Sequence, residues 1–115
     1  MIGNLSGQQF HQLPMFMSAR EIQSQYGASP ADREDVRGDD GEWRSETNDE
    51  VWSRKADETR ERGLDKEIAR NGVPGVIGIR PTRGYILDGH HRVGYMGETD
   101  PDRLMAVDHR WPERR

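Results

Sequence analysis

Apolar positions fall into two stretches, near residues 10–26 and 64–107, with a polar segment between them. Helix signals are local and clear. Ser18 and Glu21 form a capping box, Met17 and Ile22 occupy the two positions of a hydrophobic staple, and Gly27 supplies a stop. This spacing predicts a helix over 19–26. Ser29-Pro30 reads as a further helix start, with proline at the first helical position. Thr47 and Glu50 form a second capping box. Asp49 and Glu50 open that helix and Arg60 and Arg62 close it, in the order the helix dipole favours, and Gly63 ends it. Trp52, Ala56 and Thr59, with Val51 beside them, mark its buried stripe. Leu64 and Ile68, four apart, predict a short helix closed by Asn71-Gly72.

The period then changes. Pro74-Gly75 turns into Val76-Ile77-Gly78-Ile79, an apolar run of strand length. Pro81-Thr82-Arg83-Gly84 reads as a turn, and Tyr85-Ile86-Leu87 as the returning strand. Asp88-Gly89 breaks that strand, residues 90–96 begin a helix, Asp100-Pro101 turns, and Leu104 to Val107 is a last short strand. Helix, strand, strand, helix, strand from residue 64 onward predicts an α/β domain with a small mixed sheet flanked by helices. Residues 32–50 carry nine acidic residues against three basic ones, punctuated by Gly38 and Gly41, and read as a solvated loop or insertion. Asp39-Asp40 within it lacks the spacing of a calcium loop. The expected organisation is a core at 47–115, with 1–46 as a helical and acidic-loop extension packed on it.

Composition narrows the function classes. A chain of 115 residues makes one domain, and 31% hydrophobic against 33% charged residues leaves only a modest core. The absence of cysteine excludes disulfides and thiolate metal sites and suits a reducing cytosol. The first 17 residues, with Leu5, Phe10, Leu13, Met15, Phe16 and Met17, have neither a basic leader nor an unbroken apolar run. A cytoplasmic protein with no membrane partner is expected. A net charge of −4 does not suit bulk electrostatic binding of duplex DNA, so any nucleic-acid contact must be local. The basic tail His109-Arg110-Trp111-Pro112-Glu113-Arg114-Arg115 reads as solubilising.

The candidate chemistry lies in Asp88-Gly89-His90-His91-Arg92, where a strand ends and a helix opens. A helix N-terminus offers unpaired N–H groups and partial positive charge, glycine lets an anion approach the backbone, and arginine can clamp phosphate bidentately. Gly89, His90, His91 and Arg92 therefore have the parts of a phosphate cradle. His91 is also a candidate acid or base, with no partner carboxylate identifiable from sequence. His90 and His91, being adjacent, point about 100° apart on a helix and do not easily share one ion. A metal site from Asp88, His91 and Asp108 or His109 is conceivable in geometry, but no residue is assigned as a metal ligand.

The run Gly63-Leu64 to Ile68, Asn71-Gly72-Val73-Pro74, an apolar strand and Ile86-Leu87-Asp88-Gly89-His90-His91-Arg92-Val93 resembles the N-terminal domain of ParB-like proteins. It is most similar to the short versions found in phage and actinobacterial genomes. The resemblance covers residues 45–110, with Ser45-Glu46-Thr47-Asn48-Asp49-Glu50-Val51-Trp52 as its upstream segment. It implies the ParB/sulfiredoxin fold, with 47–115 as a ParB-like core. In ParB the corresponding turn is a Gly-Glu-Arg-Arg box that holds nucleotide phosphates, and in sulfiredoxins it is Gly-Cys-His-Arg. Gly89 and Arg92 match both, and His91 matches the sulfiredoxin histidine. His90 replaces the sulfiredoxin cysteine and the ParB glutamate, which removes sulfiredoxin chemistry and departs from the ParB nucleotide switch.

The leading expectation is a domain binding a nucleotide or nucleic-acid phosphate at Asp88–Arg92, with a nucleoside triphosphate and Mg²⁺ as the cofactor it would take. Arg80 and Arg83, beside the hairpin turn, would reach the same ligand. The second expectation is a metal-dependent nuclease or nucleotide hydrolase, with Asp88 and His91 catalytic. The third is a phage-type protein-interaction module with a degenerate site, whose partner is a host protein.

Overall fold

A computed structural model describes residues 13–111. Residues 1–12, with Leu5 and Phe10, and the last four positions of the basic tail lie outside the described residues. The elements are β1 (Phe16–Ser18), α1 (Ala19–Gln25), a single 3₁₀ turn (Pro30–Asp32), β2 (Asp35–Arg37), β3 (Trp43–Ser45), α2 (Asn48–Glu61), α3 (Leu64–Asn71), β4 (Ile77–Arg80), β5 (Tyr85–Asp88), α4 (His90–Thr99) and β6 (Leu104–Asp108). Among the described residues this is an α/β fold of four helices, a mixed four-stranded sheet and a separate hairpin. None of the helices is long and apolar enough to cross a membrane.

The sheet order is β1-β6-β4-β5. β4 and β5 form an antiparallel hairpin in which Arg80 pairs with Tyr85 and Gly78 with Asp88. The chain then crosses through α4 and returns as β6, parallel to β4, with Ile77 opposite Val107 and Gly78 opposite Asp108. β1 adds antiparallel to β6, with Phe16 opposite Ala106. Alternation along β6 sends Met105 and Val107 into the core and leaves Leu104 exposed. One face of the sheet packs on the helices through Ile77, Ile79, Ile86, Met105 and Val107, which meet Ile22, Val51, Trp52, Val93 and Met96. The ring of Trp111 lies against Gly78, at a position that a side chain on β4 would fill.

Both capping boxes form. The Ser18 and Thr47 hydroxyls accept from the N–H groups of Glu21 and Glu50, and each glutamate accepts in return from the backbone N–H of its cap. The stripe Val51, Trp52, Ala56 and Thr59 is buried. Two expectations need correction. Ser29-Pro30 starts one 3₁₀ turn rather than a helix. Residues 32–50 are largely solvent-exposed, as expected, but they are not a loop: Asp35–Arg37 pairs with Trp43–Ser45, and the Arg37 guanidinium lies 5.3 Å from the centre of the Trp43 ring. At the base of this hairpin Glu46 is buried against Arg54 of α2. β1 is an element without a sequence signal. It places residues 16–18 in the same sheet as the strands after residue 76, and Met17, Ala19 and Ile22 in the same core.

Candidate functional site

β5 ends at Asp88, Gly89 caps α4, and His90 is the first helical residue. Gly89 has φ +98°, where an L side chain is strained, and a Cβ there would stand 2.6 Å from Cδ1 of Ile77. The cap supplies no side-chain acceptor, and the first turn of α4 carries no acidic residue. The first helical bond runs from the N–H of Val93 to the carbonyl of Gly89, so the N–H groups of residues 90–92 precede the ladder. The same position in α1 and α2 is occupied by a glutamate.

The two histidines leave this turn in different directions. His90 is buried, 4% exposed, and stacked on Trp52 with ring centres 5.9 Å apart. Its Nε2 accepts from the Ser29 N–H at 3.0 Å, which places the proton on Nδ1, 3.3 Å from Oδ2 of Asp32. Burial pushes its pKa down to about 4, against the pull of Asp32 in the other direction. His90 is thus a neutral ring with both nitrogens engaged inside the fold. Of its groups, the backbone N–H is the one at the helix end.

His91 turns to α2, where its Nε2 lies 2.7 Å from Oε1 of Glu58. The Thr59 hydroxyl donates to the His91 carbonyl at 3.3 Å. Glu58 also accepts from Arg54 at 3.0 Å. Burial alone would raise the Glu58 carboxyl, but His91 and Arg54 outweigh it and hold it below its ordinary value. Lys55 bonds Asp32 at 3.1 Å, Arg54 bonds Glu46 at 2.8 Å, and Arg54 also donates to the Asp32 carbonyl at 2.7 Å. The Asp32 carboxyl is likewise held low: His90, Ser29 and Lys55 together outweigh its burial. These contacts knit the 3₁₀ turn, the base of the hairpin, α2 and α4 into one polar layer.

Arg92 folds back over the turn. Its Nη2 donates to Oδ2 of Asp88 at 3.2 Å, and its Nη1 donates to the carbonyl of Pro74. The guanidinium is mostly covered, lying across the backbones of Gly89 and Gly75, while the Asp88 side chain is half exposed.

The turn therefore brings together Asp88, Gly89, Arg92 and the N–H groups of 90–92. Arg80 and Arg83 stand at the other end of the hairpin, with Arg80 opposite Tyr85 where Gly78 is opposite Asp88. Asp88 engages Arg92, whereas Glu58 orients His91. Asp108 pairs with Gly78 across the sheet, and His109 lies beside Tyr26, with ring centres 6.3 Å apart. Among the described residues no three or more histidine or acidic side chains are grouped to hold a metal ion. A Mg²⁺ arriving with a nucleotide needs only one carboxylate beside phosphate oxygens, and Asp88 is the carboxylate at the turn.

Sequence reasoning missed Glu58, Asp32 and Lys55. Lys55 did leave a signal. With Trp52, Ala56 and Thr59 it completes the i, i+3, i+4, i+7 pattern of a buried stripe, and a lysine there requires a buried partner. Glu58 showed only an i,i+4 pair with Arg54, and its contact with His91 left no signal because His91 lies on a different helix.

Comparison of the chain with known proteins found no matching family model, no matching curated protein and no matching solved structure.

Proposed function

We propose that this is a ParB/sulfiredoxin-type domain that binds the phosphate of a nucleotide or nucleic acid at the turn Asp88–Arg92, in the cytoplasm. One observation carries the reading. α4 opens at a left-handed glycine with neither a side-chain cap nor an acidic first turn, and an arginine lies over that opening. Gly89 and the N–H groups of residues 90–92 hold the phosphate, and Arg92 clamps it. His91 contributes its backbone N–H to this opening, while Glu58 holds its imidazole against α2.

The Glu58–His91 contact supports a second reading, a nucleotide hydrolase or nuclease in which a carboxylate-oriented imidazole moves a proton. Thermal denaturation with nucleoside triphosphates and a short DNA, with and without Mg²⁺, tests both. A ligand that binds only the folded state stabilises it by about 2.7 kcal/mol at a hundredfold excess over Kd. The expected result is a rise in Tm for wild type that is lost in Arg92→Ala and in Gly89→Ala. Product formation from a stabilising nucleotide, lost in His91→Ala, selects the hydrolase. A cooperative melt that no ligand shifts overturns the phosphate site and leaves a protein-interaction role.

A further inference from the structure

α3 and the loop after it form a segment with few anchors. Ile68 is the one buried apolar side chain of α3, and Val73 packs on the edge of the core. Gly72 and Gly75 both have positive φ, +81° and +72°, and bracket Val73-Pro74 as two flexible joints. The third anchor is Arg92. Its guanidinium reaches from α4 to the carbonyl of Pro74 and at the same time to the Asp88 carboxylate. A Cβ on Gly75 would stand 2.8 Å from Nη1 of Arg92, so the loop backbone and the arginine are in direct contact. One side chain thus closes the loop 72–76 over the strand-to-helix turn, and its charge is balanced there by Asp88.

We propose that Arg92 is a clasp: its two bonds hold the loop 72–76 shut against the turn, and an anion entering the turn opens the loop by drawing the guanidinium off Pro74 and Asp88. The clasp is a property of the ligand-free fold. Its release by an anion rests on the phosphate site proposed above. A polyphosphate offers Arg92 two oxygens in a fork geometry that a carbonyl and a single carboxylate oxygen do not match. The loop then loses its polar anchor while Ile68 keeps α3 on the core, so the movement is confined to the segment between the glycine joints.

Backbone hydrogen exchange of the whole protein tests this in two arms. In the ligand-free arm the Gly72 amide, which donates to the Ile68 carbonyl at 2.8 Å, is the probe, and Arg92→Gln is expected to speed its exchange about tenfold, the effect of losing roughly one charge-assisted bond. Asp88→Ala, which removes only one partner, gives a smaller increase. The amides of Met105 and Val107 in β6 report whether the variants remain folded, and are expected to be unchanged. Unchanged exchange at Gly72 in a folded Arg92→Gln protein overturns the clasp. In the second arm, inorganic triphosphate is the probe, and faster exchange at Gly72 in wild type is expected. If triphosphate raises Tm but leaves Gly72 unchanged, release by anion is overturned and the phosphate site stands. If triphosphate does not bind, release by this anion is overturned, the phosphate site is judged by the nucleotide and DNA melts, and the clasp by Arg92→Gln alone.

Discussion

At the scale of single residues, His90 has the most consequential environment. The unfolded chain takes up a proton on this ring near its ordinary value of 6.5, whereas the folded protein resists until about 4. Between those values the unfolded state binds more protons, so stability falls as pH falls through that window. Asp32, Glu46 and Glu58, all held low in the fold, add losses of the same sign at still lower pH, as each is protonated. The slope from His90 approaches about 1.4 kcal/mol per pH unit at most. Urea titrations at pH 7, 6 and 5 are expected to show this decline in wild type and a clearly shallower one in His90→Gln, where His109, also held low by its burial, keeps a part of the slope. An equally steep decline in the variant would assign the loss to other groups. Two adjacent histidines separated by about 100° on a helix were legible as pointing apart. Which of them enters the core was not, because Trp52 and the Ser29–Asp32 turn reach it from distant parts of the chain.

At the scale of elements, the closest packing is between α2 and α4. Alanine in place of a helix-interior glycine ordinarily gains about 1 kcal/mol. At Gly94 the sign reverses, because a Cβ would stand 2.5 Å from the Trp52 carbonyl and 3.1 Å from Cβ of Lys55, both on the rigid face of α2. Gly94→Ala is expected to destabilise by about 1–3 kcal/mol. At Gly97, one turn further on, the obstacle is the amide of Gln23, the movable end of a side chain, so Gly97→Ala should be near neutral. Urea midpoints of the two variants decide it, and equal midpoints would refute the crossing as described. The elements that were legible carry their signals within a few residues: both capping boxes, the stripe of α2, and the turns around β4 and β5. The two that were not are β1 and the β2–β3 hairpin, each strand three residues long. β1 exists because residues 104–106 offer a partner, and no local pattern encodes a partner that distant. The hairpin was hidden by its charge. Arg33, Arg54 and Glu46 anchor it through hydrogen bonds and ion pairs, which a search for apolar periodicity does not register.

At the scale of the whole molecule, charge decides which phosphate ligands are plausible. The chain carries a net charge of −4, and many of its cations are already paired: Arg20 with Asp102, Arg44 with Glu50, Arg54 with Glu46, Lys55 with Asp32, Arg60 with Glu98 and Arg92 with Asp88. A surface of this kind is poorly suited to tracking the backbone of a duplex, where every neutralised phosphate adds about −0.9 to the slope of log affinity against log salt. The turn at Gly89 presents one arginine and a few N–H groups, so the proposed site would engage one or two phosphates at a time. A nucleotide, or a single terminal or flipped-out phosphate of a nucleic acid, meets that limit. Raising salt from 50 to 200 mM should then weaken binding only about threefold to fourfold per phosphate contacted, against about a thousandfold for a protein making six contacts. Fluorescence titration of a labelled oligonucleotide at three salt concentrations measures the slope. A slope near −1 or −2, abolished together with binding in Arg92→Ala, agrees with a single cradle. A slope of −5 or steeper would mean that a basic surface elsewhere on the chain does the holding, and would move the ligand away from the strand-to-helix turn.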